Sequence, residues 1–367
     1  MKIHYILKKG FHCYPPCLAQ VLYLNDMGVD IEVYHGAESE VIVQIFNERH
    51  ITHHTLVSDR TNSNSFQSAV TMLAYKKEIA KIVSAIPKDD LIWYGNCESA
   101  MALGVKILSH QFVLSVLELY DQGSLYDRFL KKYINHATLI LCCEKHRAQI
   151  MKAYYSLKQD PFVLPNKPYE LVDNLDADAL SAEVKEKISG LKDKFIVLYQ
   201  GIVTPDRPLD KVALALSDIN NEQIVFVVMG RATEDMKNKI RGCYTNTVFM
   251  DYVPSPQHLL VTKYANIGIA NYDYSNLNNL FCAPNKIYEY AKFGVPMLVS
   301  KNIGLTETVG NYGAAECVDF DNVNCIKNGI QKIFSSNQEY SQKALAFYEK
   351  TDNSLVMQEI MNVLEDH

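Results

Sequence analysis

"APNKIYEYAKFGVPMLVS", residues 283–300, holds a helix and a strand with their punctuation. Pro284 and Asn285 mark a helix start, because proline tolerates the first turn and asparagine caps free backbone N–H groups. Gly294 and Pro296 end that helix, and Met297–Ser300 reads as a short buried strand. Lys286 is the anomaly. A cation in the first turn faces the positive end of the helix dipole, at a cost of about 0.3–1 kcal/mol. Glu289 follows one turn on. The lysine makes sense if something anionic shares that turn.

Outward from this segment the same strand-then-helix rhythm recurs. Before it lie apolar strands at Phe195–Tyr199, Ile224–Met229, Thr247–Met250 and Ile267–Ala270, with helices at Leu209–Leu216 and Gln257–Lys263. After it, Asn322–Phe334 and Ser341–Asp366 read as helical, with a break near 351–354. The first 165 residues repeat the pattern. Strands are expected at Ile3–Leu7, Ile31–Tyr34, Asp90–Tyr94, Phe112–Leu119, Ala137–Cys142 and Phe162–Leu164. Helices are expected up to Met27, then at Gln67–Ile86, Glu98–Leu108, Gly123–Asn135 and Lys145–Tyr155. Such alternation implies parallel sheets with helices on both faces. Asn166–Gly190 is polar and acidic and reads as a linker. A chain of 367 residues suits two domains. The expected division is 1–170, 171–345 and a helical tail, 346–367.

Composition limits the function. Hydrophobic content of 48% with 21% charged residues describes a globular protein, and a net charge of −6 argues against a nucleic-acid footprint. Residues 1–165 carry 17 Lys and Arg against 16 Asp and Glu, which leaves −7 for the rest, and nine of the eleven histidines. The N-terminal half is the half expected to meet something anionic. Nine scattered cysteines without a Cys-x-x-Cys pair suit a reducing cytoplasm. The opening MKIHYILKKG has no signal-peptide core, and no apolar run is long enough to span a bilayer.

In open parallel sheets ligands sit outside the carboxyl ends of the strands. Gly201 and Gly230 end their strands, where a missing side chain permits close approach. Arg207 follows in "QGIVTPDRP". The helix beginning at Asn285 points its positive end, with Lys286, at the same crevice. Together these groups suit a compact dianion such as a diphosphate. Each also has a plainer reading: Glu289 complementing its helix, Lys286 solvated at the surface, Arg207 paired with Asp206 or Asp210.

Gly201–Arg207, "FVVMG", "VFMDYVPSPQHLLVTKYANIGIA" and "PNKIYEYAKFGVPMLVS" resemble the donor domain of GT-B glycosyltransferases, group 1 (family 4). "GVDIEVYHG", "HATLILCCEKH" and "VLPNKP" resemble their acceptor domain. The resemblance implies an α/β fold of two Rossmann-like domains facing across a cleft, with a C-terminal crossover helix. It implies transfer of a sugar from a nucleotide-sugar donor to a glycan or lipid-linked acceptor. Retention of configuration and a role in bacterial surface polysaccharide synthesis come with it. The nucleotide-sugar is a substrate, so no cofactor and no metal are expected.

Carried over by position, Arg207 and Lys286 hold the diphosphate and Glu289 the ribose hydroxyls. Gly201, Gly230, Tyr252, Val253 and Asn285 line the donor site. Two positions depart from the family pattern. Where the family has a sugar-contacting Glu this chain has Phe281, with Asn278, Asn279 or Asp273 as substitutes. The acceptor-side His is Tyr120 in "LELYD", beside Glu118 and Asp121. A nucleotide-sugar epimerase of the same fold and a nucleotide-binding partner subunit without turnover stay as alternatives; Phe281 and Tyr120 favour the latter.

Other motifs carry less. Asp176–Asp178 and Asp319–Asp321 read Asp-x-Asp, the first in the linker and the second ahead of a helix. His50, His53 and His54 lack a further ligand at metal spacing, and a polar strand or loop is the favoured reading of that stretch. Arg128, Lys131 and Lys132 interleave with Phe129, Leu130, Tyr133 and Ile134. That is the pattern of peripheral contact with anionic lipid, although a packed helix is the favoured reading. The expected location is the cytoplasm, with peripheral contact at the inner face of the cell membrane.

Overall fold

The computed structural model describes residues 2–57, 65–171, 180–205 and 207–366, the side chains of 65–69 excepted. Chain contacts divide it into two units, 1–169 with 352–367, and 170–351.

The first unit runs β1 (Ile3–Leu7), α1 (Pro15–Asp26), β2 (Ile31–His35), α2 (Glu40–Glu48), β3 (Thr52–Thr55), α3 (Ser65–Ala85) and β4 (Leu91–Tyr94). It continues with α4 (Cys97–Met101), β5 (Phe112–Ser115), α5 (Leu125–Tyr133), β6 (Leu139–Cys142), α6 (Lys145–Tyr155) and β7 (Phe162–Val163). The seven strands form one sheet in the order β3-β2-β1-β4-β5-β6-β7, parallel at every pairing. β1, β4 and β5 are buried at every position, as strands covered by helices on both faces must be.

The second unit runs α7 (Ala182–Gly190), β8 (Phe195–Gln200), α8 (Leu209–Ile219), β9 (Ile224–Met229), α9 (Glu234–Cys243), β10 (Thr247–Met250), α10 (Leu259–Thr262) and β11 (Ile267–Ala270). Then come α11 (Leu277–Leu280), α12 (Asn285–Lys292), β12 (Met297–Ser300), α13 (Ile303–Leu305), β13 (Ala315–Val318), α14 (Val323–Ser335) and α15 (Asn337–Lys350). Its sheet is also parallel, in the order β10-β9-β8-β11-β12-β13. The order reverses between β8 and β11, which makes that the switch point where such sheets bind ligands. The last helix, α16 (Asn353–Glu365), belongs to the first unit and packs on α1 and β7. Asn353 Nδ2 fixes its start by donating to the Pro165 carbonyl at 2.8 Å.

Several local expectations change. Part of the supposed linker is helical: Ser181 caps α7 by accepting from Val184 N–H, and Val184 is buried. Residues 172–179, with Asp176 and Asp178, lie outside the described residues. The single helix expected over 98–108 is α4 followed by a 3-10 turn at Gly104–Ser109, since Gly104 adopts φ +54° and breaks the run. α2, α9 and β13 stand outside the expected elements, while β3 realises the polar strand or loop expected for the His50–His54 stretch. The apolar residues of the α5 stretch, Phe129, Leu130, Tyr133 and Ile134, are all buried, which supports a packed helix over one lying on lipid. Among the described residues no helix is long and apolar enough to cross a membrane. None of the nine cysteines is in a disulfide.

Candidate functional site

The ends of β8 and β9 crowd together. A Cβ on Gly230 (φ +141°) would lie 2.0 Å from the Gly201 carbonyl oxygen, so only glycine fits. Gly201 (φ +132°) keeps a space open instead. A Cβ there would lie 3.4 Å from Lys286 Nζ and 3.9 Å from Arg207 Nη1. Both cations therefore face one spot at the β8/β11 switch point.

Their supports explain how like charges come to be neighbours. Lys286 is 9% exposed, not solvated at the surface; its Nζ donates to the Gln200 carbonyl at 2.9 Å. The ammonium also lies over the rings of Tyr199 (4.8 Å) and Tyr272 (5.6 Å). Arg207 Nη1 donates to Tyr199 Oη at 3.1 Å, and its guanidinium lies 5.1 Å from the Tyr272 ring. Burial, and then the charge of Arg207, push the Lys286 pKa down to about 7, with Glu289 opposing. Asp210 pairs with Lys239 at 2.8 Å. Asp206 lies outside the described residues. Asn285 is the first residue of α12 rather than its cap; Pro284 holds the cap position and no side chain caps the helix.

Glu289, 6% exposed, points at the end of β8. Its Oε2 accepts from Gln200 Nε2 and lies 3.3 Å from His258 Nε2. Burial disfavours its charge, but His258, Lys286 and Gln200 outweigh that and hold the carboxyl below the usual range. Thr262 Oγ1 donates to Gln200 Oε1 at 2.8 Å and completes a buried chain. Asn271, next after β11, is 1% exposed, and its amide atoms have no partner among the described residues.

The loop between β11 and α12 brings Asp273 to Asn279, whose Nδ2 donates to the carboxylate. Burial works against the Asp273 charge, yet bonds from Asn279 and Ser275 and the nearby Arg207 hold its pKa low. Phe281 follows α11 with no carboxylate of its own. Tyr252 is 46% exposed, with the Arg231 guanidinium 5.2 Å from its ring, and Val253 beside it is buried.

In the first unit Glu118, Tyr120 and Asp121 follow β5. Tyr120 stacks on Tyr126, centroids 4.6 Å apart. Burial, then Cys97 and Glu118, hold its phenol far above the ordinary value, so it serves as a neutral hydroxyl. Glu118 and Asp121 are exposed.

The weaker motifs have other employment. His53 stacks on His35, and His54 lies 2.7 Å from Glu32. Asn322, not the Asp319–Asp321 pair, caps α14. Among the described residues no cluster of three or more His, Cys, Asp or Glu could hold a metal. Sequence reading missed Tyr199, Gln200, His258, Thr262, Asn271 and Tyr272; only Gln200, beside the singled-out Gly201, carried a local signal.

No family model matches the chain, and no curated protein matches it in sequence. Solved structures do. HepE from Anabaena in complex with UDP-glucose is 15% identical with TM-score 0.70, both chains covered in full. Sucrose-phosphate synthase from Thermosynechococcus elongatus is 13% identical with TM-score 0.69, covering 100% of this chain and 99% of that one. UDP-GlcNAc 2-epimerase from Neisseria meningitidis, bound to UDP-GlcNAc, is 11% identical with TM-score 0.68 over the full length of both. At such identities the likeness speaks for the fold alone: the chain has the GT-B fold, the fold of glycosyltransferases and epimerases that act on nucleotide-sugars.

Proposed function

We propose that the chain is a glycosyltransferase that takes a sugar from a nucleotide-sugar, with a glycan or lipid-linked sugar as acceptor. The observation that carries the reading is the convergence of Lys286 and Arg207 on the space beside Gly201. Each of these groups disfavours the charge of the other, and an anion placed between them favours both charges. A diphosphate does so twice: in the bound donor, and in the leaving group, whose charge grows as the anomeric C–O bond breaks. Glu289 takes ribose hydroxyls. Gly230, Tyr252 and Val253 take the base. Asn279 and Asp273 offer polar groups where the family pattern has its sugar-contacting Glu. Glu118, Tyr120 and Asp121 are assigned to the acceptor and to the face of the sugar. The transfer retains configuration, with a donor phosphate oxygen taking the acceptor proton on the same face. Assembly of a bacterial surface polysaccharide, at the inner face of the cell membrane, is the setting this chemistry suits.

Epimerase neighbours of equal similarity make nucleotide-sugar epimerisation the second reading. Incubation with a panel of nucleotide-sugars separates the two. Released nucleoside diphosphate marks a transferase, and an epimerised donor without release marks an epimerase. Neither product, with nucleotide still bound, leaves a binding subunit. Calorimetric affinities for UDP should agree with and without EDTA, because fixed cations stand where a metal would; a large loss in EDTA sinks the assignment of Lys286 and Arg207. Glu289→Gln should weaken nucleotide binding by about 1.5–3 kcal/mol, roughly 10- to 150-fold. Equal affinities for parent and variant would remove Glu289 from the site.

A further inference from the structure

The second unit carries a cavity that the nucleotide reading does not use. It encloses about 570 Å³ between α7, α10 and the sheet. Its wall includes Leu180, Leu191, Ile196, Leu198, Val227 and Leu260, each 8% exposed or less. Lys194 and Asn266, which immediately precede β8 and β11, also line it. The cavity therefore lies toward the amino ends of the strands, away from Gly201 at the carboxyl end of β8. Polar side chains of its wall are engaged by the protein itself. Asn266 Oδ1 accepts from Ile196 N–H, and Ser189 Oγ donates to the Glu186 carbonyl, both at 2.7 Å. A polar group placed inside would be poorly partnered, so the interior suits an apolar occupant.

The rim has the opposite chemistry. Lys185, Lys192, Lys194 and Lys263 line the cavity and are exposed, against a single acid, Asp193. Among the described residues no carboxylate pairs with Lys192, Lys194 or Lys263. Lys194 Nζ donates to the Glu222 carbonyl at 3.4 Å, and Lys263 Nζ lies 5.3 Å from the Tyr264 ring. We propose that this cavity binds a fatty acid, with the hydrocarbon chain inside and the carboxylate among the lysines. Each half of the site rejects a different class of ligand. Sugars and nucleotides would carry polar groups into an apolar interior, and a neutral hydrocarbon gains nothing from the lysines. The volume suits a small molecule, whose sites run to about 300–1,000 Å³. The site is separate from the proposed donor site, and its existence does not depend on the transfer reaction.

The test is calorimetry of the full chain with laurate, decanoate, octanoate and dodecanol, each below the concentration at which it aggregates. Low salt keeps the exposed charges least screened. Laurate should bind saturably and one-to-one, and each methylene removed should weaken binding by up to about fourfold. Dodecanol, which has the chain without the charge, should bind about fivefold or more weakly than laurate. The double variant Lys192→Glu, Lys194→Glu alters exposed side chains, so its fold is not at stake. It should lose about fivefold or more in laurate affinity and bind dodecanol as the parent does. Val261→Phe, which enlarges a wall side chain, should weaken laurate and dodecanol alike. No saturable binding of laurate overturns the proposal, as does equal laurate affinity in the parent and the double lysine variant. Laurate binding that appears only after residues 172–179 are replaced by glycine and serine would mean that the chain fills its own cavity. A chain that binds phosphatidylglycerol vesicles but no laurate would have a membrane surface here instead of a fatty-acid site. Either result sinks the proposal. The lysine variant decides the matter even if Val261→Phe fails to fold.

Discussion

Lys286 answers at the residue scale the question its position raises. Its ammonium leaves the positive end of α12, reaching the Gln200 carbonyl and two tyrosine faces. The residual strain appears as a pKa near 7 instead of 10.5. Between those values the unfolded chain binds a proton that the folded chain lacks, so stability should climb as pH rises from about 7 to 10.5. Each unit of depression corresponds to about 1.4 kcal/mol. Lys286→Met should flatten that climb in urea titrations at pH 7 and 9; an unchanged slope would mean Lys286 is charged throughout. A bound diphosphate favours the ammonium, so nucleotide binding near pH 8 should draw a proton from the buffer. Calorimetric enthalpies in phosphate and in Tris should differ for the parent and agree for Lys286→Met. Matching enthalpies in the parent would exclude a neutral lysine in the empty site.

At the scale of elements, glycines of two kinds make a contrasting pair. Gly230 ends β9 at φ +141° against the Gly201 carbonyl, while Gly242 lies in the exposed last turn of α9 with open space around a would-be Cβ. Gly230→Ala should cost at least about 1–3 kcal/mol from backbone strain alone, and should abolish nucleotide binding by pushing β8 and β9 apart. Gly242→Ala should gain up to about 1 kcal/mol, as alanine is the better helix former. Equal urea midpoints for the two variants would refute the crowding. The central strands were legible in the sequence because a strand covered on both faces is an unbroken apolar run, as in "FIVLY" and "IVFVVM". The edges were not. β3, "THHT", could be read only as a polar strand or loop; β13 reads "AECV" and α9 buries only Ile240, so neither shows an apolar face of the right period. Lys286 and Glu289 could be found because a helix start is a local signal. Gln200 and Glu289 are 89 positions apart, and nothing local pairs them before the chain folds.

At the scale of the molecule, the chain builds each unit around its own sheet and returns to the first with α16. That return buries Met357, Ile360, Met361 and Leu364, each 4% exposed or less. Burying such side chains is worth about 1.5–3 kcal/mol apiece, so their sum rivals the whole stability of an ordinary domain, about 5–15 kcal/mol. Deleting 352–367 should therefore melt the first unit selectively. Calorimetric scans of the full chain should resolve two transitions, one of which UDP should shift upward if it binds, as proposed, in the second unit. In the truncated chain the UDP-responsive transition should keep its position and its response, while the other moves down by many degrees or disappears. If truncation lowers the UDP-responsive transition equally, α16 supports the nucleotide-binding unit, and the division of the chain at Thr351 does not describe how it unfolds.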